Sequence, residues 1–201
     1  MSKNTQAVAR LTKEYKTLQK DFDKQISAHP DGMITQDNFI ACPDPKNLFQ
    51  WYFIMFGIQD EPYVNGYYLG RVNFPQEYPW KPPSIRLLTE SGRIKPSESV
   101  CLSISEHHPE SWNPALTARS IITSLLSFFM SDETVGQTID ASNAVRKKFA
   151  ANSKAMVMKH PLFKAHFATM GVHIGLGAKP AAGEEQKKSS VEESKVEEDP
   201  L

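Results

Sequence analysis

Residues 48–56, LFQWYFIMF, form an aromatic and aliphatic run broken by a single polar side chain, Gln50. Side chains along a strand alternate between its faces, so a run apolar at nearly every step predicts a central strand buried on both sides. The neighbouring segments supply partners for it. Residues 33–41 read as a first strand, entered from the His29-Pro30-Asp31-Gly32 turn and ended by the Cys42-Pro43-Asp44-Pro45 break. A third strand spans residues 67–74, with Tyr68, Gly70, Val72 and Phe74 on one side, and a fourth spans residues 85–88. Links this short join antiparallel neighbours, because a parallel pair needs a crossover of a dozen or more residues.

Helical periodicity brackets this meander. Val8, Leu11, Tyr15, Leu18 and Phe22 form one apolar stripe of a helix beginning near Asn4 or Thr5. A strongly apolar helix runs from Ala115 or Leu116 to Met130, a third from Asp140 or Ser142 to Met158, and a short fourth over residues 161–170. The fold class expected is therefore α+β: an N-terminal helix, a four-stranded antiparallel meander and C-terminal helices. Two segments resist both periods. PQEYPWKPP, residues 75–83, holds four prolines that forbid regular structure and pin Trp80 in a stiff loop. Residues 89–114 are irregular, and so long an irregular stretch inside a domain is usually functional.

At 201 residues the chain accommodates one core. We expect a folded domain over residues 1–172 and a charged, disordered tail over residues 173–201. Between Glu184 and Asp199 the tail carries seven acids and three lysines, too few apolar groups to pack. The 23 basic and 23 acidic residues balance overall, so nothing suggests nucleic acid as a partner. The charges are nevertheless unevenly placed. Arg10, Lys13, Lys20 and Lys24 share the polar face of the first helix, either as a surface for an acidic partner or as an ordinary solvated face. No stretch approaches the roughly 20 apolar residues of a membrane span.

No Cys-x-x-Cys, His-Glu-x-x-His, Walker or Gly-x-Gly-x-x-Gly pattern occurs, so neither a metal nor a nucleotide cofactor is expected. The two cysteines differ in setting. Cys42 ends an apolar strand, where a small buried hydrophobe is the natural role. Cys101 lies in the loop-rich segment ESVCLSISEHHPESWNPA, where solvent and an acyl group can reach the sulfur. The absence of a signal peptide or disulfide framework suits a reducing, cytoplasmic compartment.

The order of these features resembles a known family. GIQDEPYVNGYYLGRVNFPQEYPWKPPSIRLLTESGRI, then a lone Cys-Leu, then WNPALT before a buried helix, is similar to the catalytic domain of ubiquitin-conjugating enzymes over about residues 5–168. CLSISEHHPESWNP is closer still to the J-type branch, which works at the cytosolic face of the endoplasmic reticulum in degradation of its proteins. The resemblance implies that Cys101 accepts ubiquitin from the activating enzyme as a thioester and passes it to a lysine, or a hydroxyl, of a protein substrate held by a RING-type ubiquitin ligase. It implies no cofactor. J-type members commonly carry a membrane-anchoring helix beyond a flexible linker, and residues 1–201 include no such helix.

The resemblance also distributes roles. Trp80 with Pro114 and Ala115 matches the apolar pad that RING domains contact, and Arg10 and Lys13 match the basic patch for the activating enzyme and ligases. Most of the family place His-Pro-Asn before the cysteine, the Asn supporting the loop and the developing oxyanion. Here Ser91, in Thr89-Glu90-Ser91-Gly92, stands near that position as a shorter donor. His108 is a candidate substitute as oxyanion donor or base, against the alternative of a structural loop histidine. Asp132 or Glu133 stands where the family often steers an incoming lysine, without a choice between them. Two other readings compete: a catalytically weak, ubiquitin-binding variant of the same fold, and an unrelated thiol hydrolase using Cys101 and His108.

Overall fold

The computed structural model describes residues 3–28 and 37–177. The 29–32 turn, residues 33–36 of the expected first strand and residues 178–201 of the tail lie outside the described residues. Helix α1 (Lys3–Ala28) leads into strands β1 (Phe39–Asp44), β2 (Asn47–Met55), β3 (Tyr68–Asn73) and β4 (Ser84–Leu87). The strands pair in sequence order, each antiparallel to the next. Helices α2 (Ala118–Met130) and α3 (Asn143–Lys159) follow, then a π-helical turn at Phe163–Phe167, helix α4 (Ala168–Gly171) and a 3-10 turn at Val172–Ile174. This is the expected α+β meander with its helical flanks.

Strand β2 is covered on both sides, as its composition requires. Trp51, Phe53 and Met55 join Tyr68, Val72, Ile85 and Leu87 under α2, whose Ile121, Ile122, Leu125 and Phe129 close that core together with Ala7 and Leu11 of α1. Tyr52, Ile54 and Phe56 point the other way, against Leu69 and a lid of Val157, Phe163, Phe167, Ile174 and Leu176. Burying one such side chain contributes about 1.5–3 kcal/mol, so the double cover makes β2 the anchor of the fold. Gly70 is required opposite Phe53 on β2, because any Cβ there would overlap the Phe53 ring.

Four boundaries differ from expectation for identifiable reasons. Strand β1 continues through Cys42 and Pro43, which pair with Tyr52 and Trp51, because an edge strand tolerates proline where its nitrogen faces away from the ladder. On α1 the buried line runs through Ala7 and Leu11, while Val8 is exposed, so the stripe is rotated by one residue. Helix α2 begins at Ala118 because Asn113–Leu116 forms a turn, and Thr117 then caps the helix in a reciprocal box with Ser120. Packing also continues past residue 172. Ile174 and Leu176 are fully buried, and the Tyr67 hydroxyl donates to the Ile174 carbonyl at 2.9 Å.

Candidate active site

Residues 89–117 have no regular secondary structure beyond one bridge, Ile94 to Thr138, yet they are firmly moored. Val100 N donates to Ile85 O at 2.8 Å and Ser97 N to Leu87 O at 2.6 Å, tying the segment to the edge of β4. Buried Val100 and Leu102 flank Cys101, fixing the backbone on both sides of a thiol that itself stays partly exposed. The amide of Cys101 donates to the Gln137 side-chain oxygen at 3.0 Å. The thiol opens onto a groove of about 510 Å³ whose walls include Leu102, Ile104, Ser124, Phe128 and Glu133. A chain terminus can approach there.

His108 is the titratable group at the sulfur. Its Nε2 lies 3.2 Å from Cys101 Sγ, and its Nδ1 lies 3.0 Å from Glu110 Oε1. A carboxylate accepts only, so the proton on that side belongs to Nδ1, and in the neutral imidazole the Nε2 lone pair then faces the thiol. The Glu110 carboxyl is held below its usual range by its own backbone amide and by the His108 hydrogen bond. The thiol, the imidazole and the carboxylate are thus linked by two contacts at hydrogen-bond distance.

Cys42 is the opposite case. It is buried, its Sγ lies 3.7 Å from the His166 carbonyl, and burial pushes its thiol up to about 12. Such a sulfur stays protonated and inert at neutral pH.

Ser91 sits in the turn that precedes Arg93. It is fully buried, and its hydroxyl accepts the Arg93 and Ile94 amides at 3.1 and 3.2 Å. It therefore holds the loop by closing a short turn. Arg10 is engaged in contacts within the fold. Its guanidinium pairs with Glu14 and donates to the Ala115 and Leu116 carbonyls at 3.3 and 3.0 Å, so it fastens α1 to the turn before α2. Lys13 remains exposed. The reason is Glu14, a buried acid on the same helix. Its Oε2 accepts the Ala118 amide at 2.6 Å, capping α2 from another helix, and its Oε1 accepts the buried Tyr78 hydroxyl at 3.0 Å. Burial and the neighbouring Glu14 raise the Tyr78 pKa, which keeps that hydroxyl a donor.

The proposed pad is on the surface. Trp80 is 58% exposed, with Nε1 donating to Gln6 at 3.2 Å, and Ala115 is exposed beside half-buried Pro114. Trp112 is buried and donates to the Pro79 carbonyl at 2.6 Å, joining the active-site segment to the proline loop. The C-terminus of α2 is closed by Arg93, a buried cation that the sequence pattern did not single out. It donates to the Phe128, Phe129 and Ser131 carbonyls at 3.3, 3.4 and 2.8 Å, and to that of Glu133. This divides the two acids: Glu133 lines the thiol groove, whereas Asp132 faces a separate hollow with Asp140 and Arg146. Among the described residues no His, Cys, Asp and Glu cluster could hold a metal ion, and no helix is long and apolar enough to cross a membrane.

Comparison with known proteins places the fold in a family. Over 195 residues the chain is 33% identical to Ubiquitin-conjugating enzyme E2 6 of Eremothecium gossypii, covering 96% of this chain and 70% of that protein. It is 34% identical over 160 residues to Ubiquitin-conjugating enzyme E2 34 of Arabidopsis thaliana, covering 80% of this chain and 62% of that one. It is 36% identical over 159 residues to Ubiquitin-conjugating enzyme E2 J2 of Mus musculus, covering 79% and 56%. The chain therefore spans between 56% and 70% of these relatives. A crystal structure from Plasmodium yoelii, described as a ubiquitin conjugating enzyme, superposes with a TM-score of 0.56 at 21% identity, covering 74% of this chain and 94% of that one. The family described as "Ubiquitin-conjugating enzyme" matches residues 10–160. That match takes in the sheet, α2, the moored loop and the thiol at its centre: the chain belongs to the ubiquitin-conjugating enzyme family.

Proposed function

We propose that this chain accepts ubiquitin from the activating enzyme as a thioester on Cys101 and passes it to a substrate amine, with a RING-type ligase holding the partners in line. The observation that carries this reading is the partly exposed Cys101 sulfur, set at an open groove with the His108 imidazole 3.2 Å away. In loading, the thiol proton moves to Nε2 as the sulfur attacks the incoming thioester carbonyl, and the activating enzyme's thiolate leaves. The sulfur alone carries the acyl group. Discharge then depends on placing an acceptor against the carbonyl, where positioning supplies much of the rate.

Partner roles follow the surfaces. Trp80, Pro114 and Ala115 form the pad for the ligase, and Lys13 offers a cation to the activating enzyme, with Arg10 and Glu14 as its buttress. Ser91 supports the loop before the cysteine. Glu133 on the groove wall is the acid placed to meet a lysine ammonium. The J-type string CLSISEHHPESWNP and the likeness to mouse E2 J2 favour work in the cytoplasm, at the cytosolic face of the endoplasmic reticulum, in degradation of its proteins. The ubiquitin-binding variant is disfavoured because a reachable nucleophile is present.

The test is direct. Incubation with activating enzyme, ubiquitin and ATP should yield a conjugate that reducing agent removes, and Cys101→Ala should abolish it. A wild-type protein that forms no conjugate under conditions that load another member of the family would overturn the proposal.

A further inference from the structure

Glu110 has no role in the reading above, yet it is the group that defines the state of His108. The imidazole sits between two partners at hydrogen-bond distance, Cys101 Sγ at 3.2 Å and Glu110 Oε1 at 3.0 Å. The ring is partly exposed, and among the described residues no other side chain is hydrogen-bonded to it. Removing the carboxylate would leave the tautomer and the ring rotation undetermined, because Nδ1–H could then face water and the ring could flip. The segment that carries both residues is itself held. His108 N donates to Ser105 O and Ser111 N to His108 O, each at 3.0 Å, and Trp112 anchors the far end on Pro79.

Resting on the thioester reading, we infer that Glu110 is a positioning residue that holds His108 as the Nδ1-protonated tautomer, so that Nε2 serves as base for hydroxyl acceptors of the Cys101-linked acyl group. In that step an acceptor O–H gives its proton to Nε2 while its oxygen bonds to the ubiquitin carbonyl carbon. The C–S bond breaks with its electron pair to Sγ, and Nε2 returns the proton to sulfur. The products are an ester and the free thiol, and the imidazole is neutral again. Glu110 keeps its charge throughout and stabilises the transient imidazolium. A lysine amine needs this help less, since the neutral amine attacks first and sheds its proton afterwards. The relay therefore acts on the choice of acceptor.

The experiment starts from purified Cys101-linked ubiquitin and follows single-turnover discharge onto free serine and free lysine. It compares the parent chain with Glu110→Gln, Glu110→Ala, Glu110→Asp and His108→Ala. The serine-to-lysine rate ratio should fall about a hundredfold in His108→Ala and about tenfold in Glu110→Ala, within what a general base supplies. Glu110→Asp should recover part of the loss. In a His108→Ala background Glu110→Ala should change nothing further, because the carboxylate acts only through the ring. Equal slowing of serine and lysine, or a full Glu110 effect without His108, would overturn the inference. Failure of the parent chain to load would instead strike the thioester reading.

Discussion

Glu14→Ala should be strongly destabilising although it removes a charged side chain. The carboxylate is only 8% exposed and takes three donors: the Ala118 amide at 2.6 Å, the Tyr78 hydroxyl at 3.0 Å and the Arg10 guanidinium. Each loss can be weighed separately. Orphaning the first amide of α2 removes a helix cap, about 1 kcal/mol. The Tyr78 hydroxyl retains the Leu116 carbonyl at 3.1 Å, so exchanging a charged acceptor for a shared one costs about 1 kcal/mol. Arg10 is 29% exposed and keeps its two carbonyls, so solvent screening limits its loss to less than about 1 kcal/mol. The total is about 2–3 kcal/mol. With a urea slope of about 2 kcal/mol per molar for a domain of this size, the unfolding midpoint should drop by about 1–1.5 M. Glu14→Gln keeps one carbonyl acceptor and should lose about half as much. Urea titrations followed by tryptophan fluorescence measure both, and a Glu14→Ala midpoint within 0.3 M of the parent would refute the reasoning.

The remaining predictions address the site and its partners. Arg10→Ala should cost about 1–2 kcal/mol in the same titration, whereas Lys13→Glu should stay within about 0.5 kcal/mol while slowing ubiquitin loading at low salt. If both variants leave stability unchanged, the buttress role of Arg10 is wrong. Trp80→Ala should shift stability by less than about 0.5 kcal/mol yet reduce ligase-stimulated discharge at least about tenfold, as an exposed aromatic anchor would; unchanged stimulation would remove it from the pad. Cys42 carries a pH signature. Its thiol titrates near 12 when folded and about 9 when free, so below pH 9 both states keep the proton and stability is untouched. Between about pH 9 and 12 only the unfolded chain loses the proton, and stability should fall by up to about 1.4 kcal/mol per pH unit. Cys42→Ala should flatten that decline, and an unchanged alkaline slope would exclude the thiol as its source.

The sheet was legible because its signal is local. LFQWYFIMF announces a doubly covered strand, and short links around it leave the antiparallel order as the simple solution. The buried helix and the irregular 89–114 segment were readable for the same reason. Interactions between segments distant in sequence were not. Glu14 and Ala118 lie 104 positions apart, and Arg93 closes a helix 35–40 residues downstream, so neither could be told from an ordinary surface charge. His108 was singled out because the resemblance left a gap where its Asn is missing. Glu110 was passed over although it stands two residues away, since an Asp or Glu after a proline in a polar loop carries no period and no motif. The contacts of Arg10 were hidden for the same reason as those of Glu14: its long side chain folds back onto carbonyls that only the assembled fold brings near.

The tether of Trp112 to Pro79 bears on how such a site can change over generations. Residues 103–111 lie between two anchors, the Cys101 amide on Gln137 and the indole on the proline loop, with the Glu106 amide on the Pro83 carbonyl at 2.9 Å between them. Extending a loop whose ends are already fastened costs little, about 0.6 kcal/mol for each doubling of length. A change of length in this span should therefore leave both anchors in place, and with them the positions of the Cys101 sulfur and of the proline loop that carries Trp80.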